Sequence, residues 1–224
     1  MISIVIPSKG EGEELLSCLA ATAGLDGAFE MVVASHGESG ETGAEARRVH
    51  PHVQWLDCPL ASRGDQMNRG AVAARGDGLI FLHADTRLPA GAVGMVTAAL
   101  SRPGVAGGAF RLAFDVPHPV LGGLSFLSRL PWRRAYFGDQ AMFCPRAAFE
   151  DAGGFPRTPL FGDVELALAL ARRGRLMRIP ARVTTSSRRF LAAGPARQVM
   201  RNAALLALHA AGVPGEALAR HYER

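Results

Sequence analysis

Four short apolar runs, separated by helix-forming stretches, constrain this chain more than any other feature. They are Ile2–Ile6, Phe29–Ala34, Val53–Leu56 and Leu79–His83. Between them, Glu11–Ala23 and Glu41–Val49 read as helices, and Ser62 caps a helix that runs to Arg75 and stops at Gly76. Pro89 opens another, ending near Pro103. Strands without a polar face are buried on both sides, so the expected fold class is α/β, with a mostly parallel Rossmann-type sheet and helices on both faces. In such sheets ligands bind beyond the carboxyl ends of the strands. The polar residues following Pro7, Ala34, Cys58 and His83 are therefore site candidates by position.

The second half is less regular. Gly107–Asp115 reads as extended, and Ala141–Cys144 as a short strand followed by a helix over Pro145–Ala152. Asp163–Arg173 reads as a helix, Leu176–Ile179 and Arg182–Thr185 as strands, Ala196–Ala210 as a helix, with a short one after Pro214. Pro119–Trp132 is apolar and fringed by Arg129, Arg133 and Arg134, which suits core packing, an acceptor cleft or a shallow membrane contact. No repeat, low-complexity segment or convincing linker divides the chain, so residues 1–224 are expected to form a single domain.

Charge narrows the partners. Basic residues exceed acidic ones, 25 against 20, and Lys9 is the only lysine. Arginine suits planar recognition of phosphate and carboxylate. The arginines fall in scattered pairs with no aromatic interleaving, which argues against nucleic acid. Cys18, Cys58 and Cys144 show neither CxxC nor zinc spacing and read as reduced thiols. The chain starts in a strand without a basic leader. No run reaches the ~18 apolar residues of a membrane span. A cytoplasmic protein is expected, at most peripheral at the inner face of the membrane.

Four segments carry chemistry. In His83-Ala84-Asp85-Thr86, a carboxylate just past a buried strand and an imidazole two positions earlier point the same way, a pattern that can hold Mg²⁺ or Mn²⁺ on a diphosphate. Alternatively, Asp85 is a turn residue bonded to local backbone. Asp163 opens a helix, either as a plain N-cap or as a carboxylate kept ionised to accept a proton. Gly138-Asp139-Gln140 is either a turn or a close backbone approach whose side chains grip hydroxyls. The helix opened by Ser62 and Arg63 offers exposed amides to an anion.

These segments occur in an order that resembles family-2 glycosyltransferases, specifically a branch of short, single-domain bacterial members. The resemblance rests on Ser3-Ile4-Val5-Ile6-Pro7, then on the run from Arg63 to Gly70, Ala73 to Asp77 and Phe81 to Pro89. Gly138-Asp139-Gln140, Gly153-Gly154-Phe155-Pro156, Asp163-Val164-Glu165-Leu166, Arg173-Gly174-Arg175 and Thr185 to Phe190 continue it. The resemblance implies a GT-A type fold, with a nucleotide-sugar-binding half over 1–105 and an acceptor-binding, catalytic half with C-terminal helices over 106–224. It implies an inverting transfer from a nucleotide diphosphate sugar, a UDP-sugar first, to an acceptor hydroxyl that could be lipid-linked. Asp163 would be the base, and Asp85, with His83, would hold Mg²⁺ or Mn²⁺. Pro7, Glu11, Glu38, Arg63, Gln66, Asn68 and Ala84 would meet the nucleotide, while Asp139, Gln140, Arg188 and Arg189 would meet sugar or acceptor.

Departures from the family pattern are specific. Gly10 stands where the first motif has Asn, Gly162 where a Glu usually precedes the base, and Ala34 where an Asp contacts the nucleotide base. Glu38 or His36 is the expected substitute for that Asp. The departures keep a second class in play, a catalytically degenerate nucleotide-sugar-binding or regulatory protein of the same fold. A nucleotidyltransferase would need a Gly-rich phosphate loop with a lysine, of which Pro7-Ser8-Lys9-Gly10-Glu11-Gly12 is only a faint echo.

Overall fold

A computed structural model describes residues 1–130 and 132–222, with the side chains of residues 221 and 222 left aside. Its centre is one sheet of eight strands: β1 (Ile2–Lys9), β2 (Phe29–His36), β3 (Gln54–Asp57), β4 (Gly78–Phe81), β5 (Thr86–Arg87), β6 (Val105–Phe114), β7 (Met142–Pro145) and β8 (Arg175–Thr185). They lie in the order β3-β2-β1-β4-β7-β6-β8-β5. The first four are mutually parallel. β7 runs antiparallel to β4 and β6, β8 is parallel to β6, and β5 closes the edge antiparallel to β8. The fold class is the mixed α/β architecture expected, with one sheet shared by both halves of the chain.

The helices are α1 (Gly12–Ala23), α2 (Gly40–Val49), α3 (Arg63–Ala73), α4 (Ala92–Leu100), α5 (Pro119–Leu127), α6 (Arg146–Asp151), α7 (Gly162–Ala171), α8 (Arg188–Ala193), α9 (Pro195–Ala210) and α10 (Gly215–Tyr222). Alternation along the strands sends apolar residues to both faces. Ile4, Ile6, Met31, Val33 and Ile80 pack with Leu15 and Leu19 of α1 on one side. Val5, Val32, Leu79 and Phe81 pack with Met67 of α3 and Leu166 of α7 on the other. Gly70 lets α3 lie directly on β1, since a Cβ there would come within 2.3 Å of Val5 Cγ1. Arg146 fastens the end of α3 by donating to the carbonyls of Gly76, Ala71 and Ala74 at 2.7–2.9 Å.

Three expectations change. β1 does not close at Pro7 but runs to Lys9. Its pairing with β4 ends at Val5, so Pro7 faces only β2 and its missing N–H leaves no gap in a two-sided ladder. The two strands expected over 176–185 are one strand, β8, with a register shift between Phe110 and Arg111 of its partner absorbing Pro180 and Ala181. β5 and α8 are additions. The three cysteines are free and buried as expected, and burial pushes the Cys18 thiol up to about 11.

Candidate active site

The carboxyl end of β4 and the start of α7 face a cavity of about 630 Å³. His83 and Asp85 enter it from the segment after β4, Asp139 and Gln140 from the single 3₁₀ turn Gly138–Gln140, Asp163 from α7, and Arg63 and Arg189 from the starts of α3 and α8. Residues far apart in the chain thus meet because β4, β7 and β6 are neighbours in the sheet.

Asp163 is not the N-cap of its helix. α7 begins at Gly162, and the capping position is Phe161, held at φ +61°. Phe161 is rare among non-glycine residues in that region, a strain that clusters at functional sites. It is held by stacking on His209, ring centroids 4.9 Å apart, while His209 Nε2 lies 2.9 Å from Glu165 Oε1. α9 thereby fixes the first turn of α7. The Asp163 carboxylate accepts from the Gly138 N–H at 2.6 Å and from the Val164 N–H at 2.8 Å. Burial raises its pKa, opposed by those two N–H groups and by Arg63. The helix end alone, the sequence argument for an ionised form, is therefore the smaller influence.

Asp139 is the most perturbed carboxyl of the site. Burial, then the negative charges of Asp163 and Asp85, push it from 3.8 up to about 7. Its Oδ1 is buried without a hydrogen-bond partner, as is His83 Nε2. Burial first, then Arg63 and Arg189, hold the His83 imidazole well below its usual range, so it is neutral. Nε2 lies against Gly138, where an added Cβ would come within 2.4 Å. Gly138 is required there by close approach.

The remaining candidates divide into three groups. Arg63 and Arg189 are exposed at the cavity edge, with no hydrogen-bond or ion-pair partner among the described residues. Glu11 sits in the same field: burial raises its carboxyl, Arg63 and Arg189 lower it, and Asp85 raises it. A second group holds the loops. Gln66 is buried and donates to the carbonyls of Ser8 and Ala34 at 2.6 and 2.7 Å, tying the ends of β1 and β2 together. Asn68 exchanges two 2.9 Å bonds with the backbone of Phe155. Glu38 accepts from the Ser8 hydroxyl and the Glu11 N–H at 2.6 and 2.8 Å, and His36 Nδ1 bonds the Cys58 carbonyl at 2.8 Å. Gln140 is buried and takes a bond from Arg178, which sits 4.0 Å above the Tyr136 ring. A third group lies off the cavity wall. Pro7 and Ala34 are buried in the sheet and Ala84 in the core, while Arg188 pairs with Glu14.

Sequence reasoning missed Arg178, and it missed α8 and α9 as walls. Arg178 lies within a strand and shows no motif; only its burial among the Phe110 and Ala135 carbonyls reveals it.

For a divalent cation the donor set is partial. Among the described residues, no group of three or more His, Cys, Asp or Glu is arranged to hold a metal. Asp85 opens on the cavity and His83 Nε2 lacks a partner, which fits Mg²⁺ or Mn²⁺ completed by phosphate oxygens and water. No described helix is long and apolar enough to cross a membrane.

No curated protein sequence matches the chain significantly. Among solved structures, a mannosyltransferase from Pyrobaculum calidifontis in complex with GDP-Man and Mn²⁺ superposes with TM-score 0.66 at 19% identity, covering 82% of this chain and 56% of that one. TarS of S. aureus, residues 1–349, gives 0.64 at 15%, covering 92% and 64%. Glucosyl-3-phosphoglycerate synthase from Mycobacterium tuberculosis, complexed with Mn²⁺, UDP and glucosyl-3-phosphoglycerate, gives 0.57 at 18%, covering 83% and 70%. The chain thus spans less than two thirds of the first two, and these likenesses establish the fold. The family model of glycosyl transferase family 2 matches residues 3–153, two thirds of the sequence, and the chain belongs to that family.

Proposed function

We propose that this protein transfers a glycosyl group from a nucleoside diphosphate sugar to an acceptor hydroxyl, inverting the anomeric centre. The observation that carries the reading is the meeting of Asp85 and Asp163 on one cavity wall, with Asp163 oriented by two backbone N–H groups. A carboxylate so held cannot swing away, and it can take the proton of a hydroxyl as that oxygen attacks. Inversion follows from a single displacement with the base on the face opposite the leaving group. Arg63, Arg189 and the amides opening α3 form a positive rim suited to the diphosphate. Asp85, with His83 beside it, is the residue that would hold Mg²⁺ or Mn²⁺. When bound, such a cation offsets charge on the departing diphosphate.

Asp139, buried next to Asp163, is suited to donate a hydrogen bond to a sugar hydroxyl while protonated. Its proton also spares the site a third adjacent negative charge. Glu38 and Gln66 shape the nucleotide end by fixing the loops that β1 and β2 present. A UDP-sugar is the donor to test first, with GDP-sugars second, because the structural neighbours include complexes of both nucleotides. The test is calorimetry of UDP and GDP binding with Mn²⁺ and with chelator, on wild type and Asp85→Ala. Cation-dependent binding in wild type that becomes cation-independent and weaker in the variant is expected. Equal affinity under all four conditions refutes the reading.

A further inference from the structure

The cavity does not end at the acidic cluster. Beyond Asp163 its wall is built by Leu112, Leu124, Leu127, Val199, Ala203 and Leu206, contributed by β6, α5 and α9. These aliphatic side chains offer no hydrogen bonds, and the rings of Phe114 and Phe190, packed edge to face, extend the apolar lining. Several polar atoms in this region are already engaged. The Ser128 hydroxyl donates to Ser125 O at 2.7 Å and accepts the Leu112 N–H at 2.9 Å, and Gln198 bonds Asn202 at 2.8 Å. At the mouth, Leu127 and Trp132 are 45% and 60% exposed, beside Phe126 at 59%. Arg129 lies 5.3 Å above the Phe126 ring, and Arg133 and Arg134 are exposed next to Trp132.

A compact sugar acceptor would leave this wall bare, or leave unbonded any hydroxyl it turned toward it. We infer that the acceptor is an amphipathic alcohol, with an apolar body lying along α5 and α9 and a hydroxyl delivered to the Asp163 carboxylate. This rests on the transferase reading and specifies its second substrate. Binding removes the body from water against aliphatic side chains and leaves the oxygen as the one polar group at the acidic end. In the transfer step, the alcohol oxygen bonds to the anomeric carbon, the bond from that carbon to the diphosphate oxygen breaks, and the alcohol proton passes to Asp163.

The chain carries its own reporter, because Trp132 sits at the mouth and the second tryptophan, Trp55, lies on β3. In Trp55→Phe protein of residues 1–224, titration with n-dodecanol should give a saturable blue shift of Trp132 emission. Methyl β-glucoside should give none. Val199→Asp, which places a charge on the apolar wall, should weaken dodecanol binding by at least about tenfold. It should leave unchanged the melting-temperature rise produced by nucleoside diphosphate with Mn²⁺. That rise reports both an intact fold and the donor end, so its absence in wild type would count against the transferase reading and not against the wall. Methyl glucoside binding as tight as dodecanol, or dodecanol binding indifferent to Val199→Asp in a folded protein, overturns the inference. Repeating the titration with dodecanol dissolved in phosphatidylcholine or phosphatidylglycerol vesicles distinguishes the sources. A response retained with protein sedimenting on the vesicles identifies a bilayer alcohol, and a response seen only with free dodecanol identifies a soluble one.

Discussion

Replacing Asp163 by Asn separates catalysis from structure, because the two roles of that side chain cost different quantities. The carboxylate oxygens receive N–H groups at 2.6 and 2.8 Å, from Gly138 and Val164. Asn is nearly isosteric, yet only its Oδ1 accepts. Its amide turns NH₂ toward the other N–H, so one charge-assisted bond is lost and a donor faces a donor. That costs about 1.5–3 kcal/mol of stability. As a base, Asn has no useful proton affinity, and loss of general base catalysis lowers the rate by about 10²–10⁴, or about 3–5 kcal/mol in the barrier. Urea unfolding and nucleotide release from a panel of UDP- and GDP-sugars, in the presence of dodecanol, measure the two separately. Because the base requires the ionised carboxyl and burial raises its pKa, the wild-type rate should fall at higher pH than an exposed aspartate would dictate. A folded Asp163→Asn protein that turns over at close to the wild-type rate refutes the assignment. The base would then be sought at Asp139, since Glu165 is engaged by His209.

Three further substitutions test the surroundings. Asp139 keeps its proton in the folded state up to about pH 7, whereas in the unfolded chain it loses it near 3.8, so its contribution is fully present below pH 4 and is lost as pH rises toward 7. The loss is at most about 4 kcal/mol; unfolding measured from pH 4 to 8 should show a smaller decline in Asp139→Asn, and an identical slope would refute the burial argument. Gly138→Ala forces a methyl to within 2.4 Å of His83 Nε2, and a loss of about 1–3 kcal/mol with a reduced transfer rate is expected from denaturant curves and kinetics. Asn68→Ala leaves the Phe155 N–H and carbonyl unpaired, so stability should drop by about 1–3 kcal/mol while nucleotide affinity measured by calorimetry stays at the wild-type value.

The first half of the fold was legible because its strands are local, apolar and bounded by turn residues. Each is recognised from its own sequence and placed by the rules of parallel sheets. β5 was not legible. It is two residues long and exists because Thr86 and Arg87 pair with Thr185 and Thr184, far along the chain. The same holds for the single strand β8, whose bulge can be recognised only beside β6. Asp85, Asp139 and Asp163 were readable as carboxylates at element ends, and the structure brings them to one cavity. Gln66, Asn68 and Glu38 were readable as polar residues in motifs, but their partners are backbone groups from other loops, which no spacing reveals. In Pro119–Trp132, Leu124, Leu127 and Trp132 line the cavity while Leu121 is buried, and Pro131 lies outside the described residues.

The edge strand β5 has a mechanical consequence. The segment leaving Asp85 crosses from the middle of the sheet to its far edge and is stitched to β8 by the backbone ladder, by the Thr86 and Thr185 hydroxyls at 2.9 Å, and by the Ser186 N–H on the Asp85 carbonyl at 3.1 Å. The chain thus threads its first half through the edge of its second. A cut between β6 and α5 would separate β5 and β6 from their partner strand β8, so the two fragments would not refold as independent units. Nor can the halves hinge apart like jaws about Asp85 without tearing that seam. Any opening and closing is left to α5 and α8, which lie outside the backbone ladder of the sheet, and amide hydrogen exchange should find them the fastest-opening walls of the cavity.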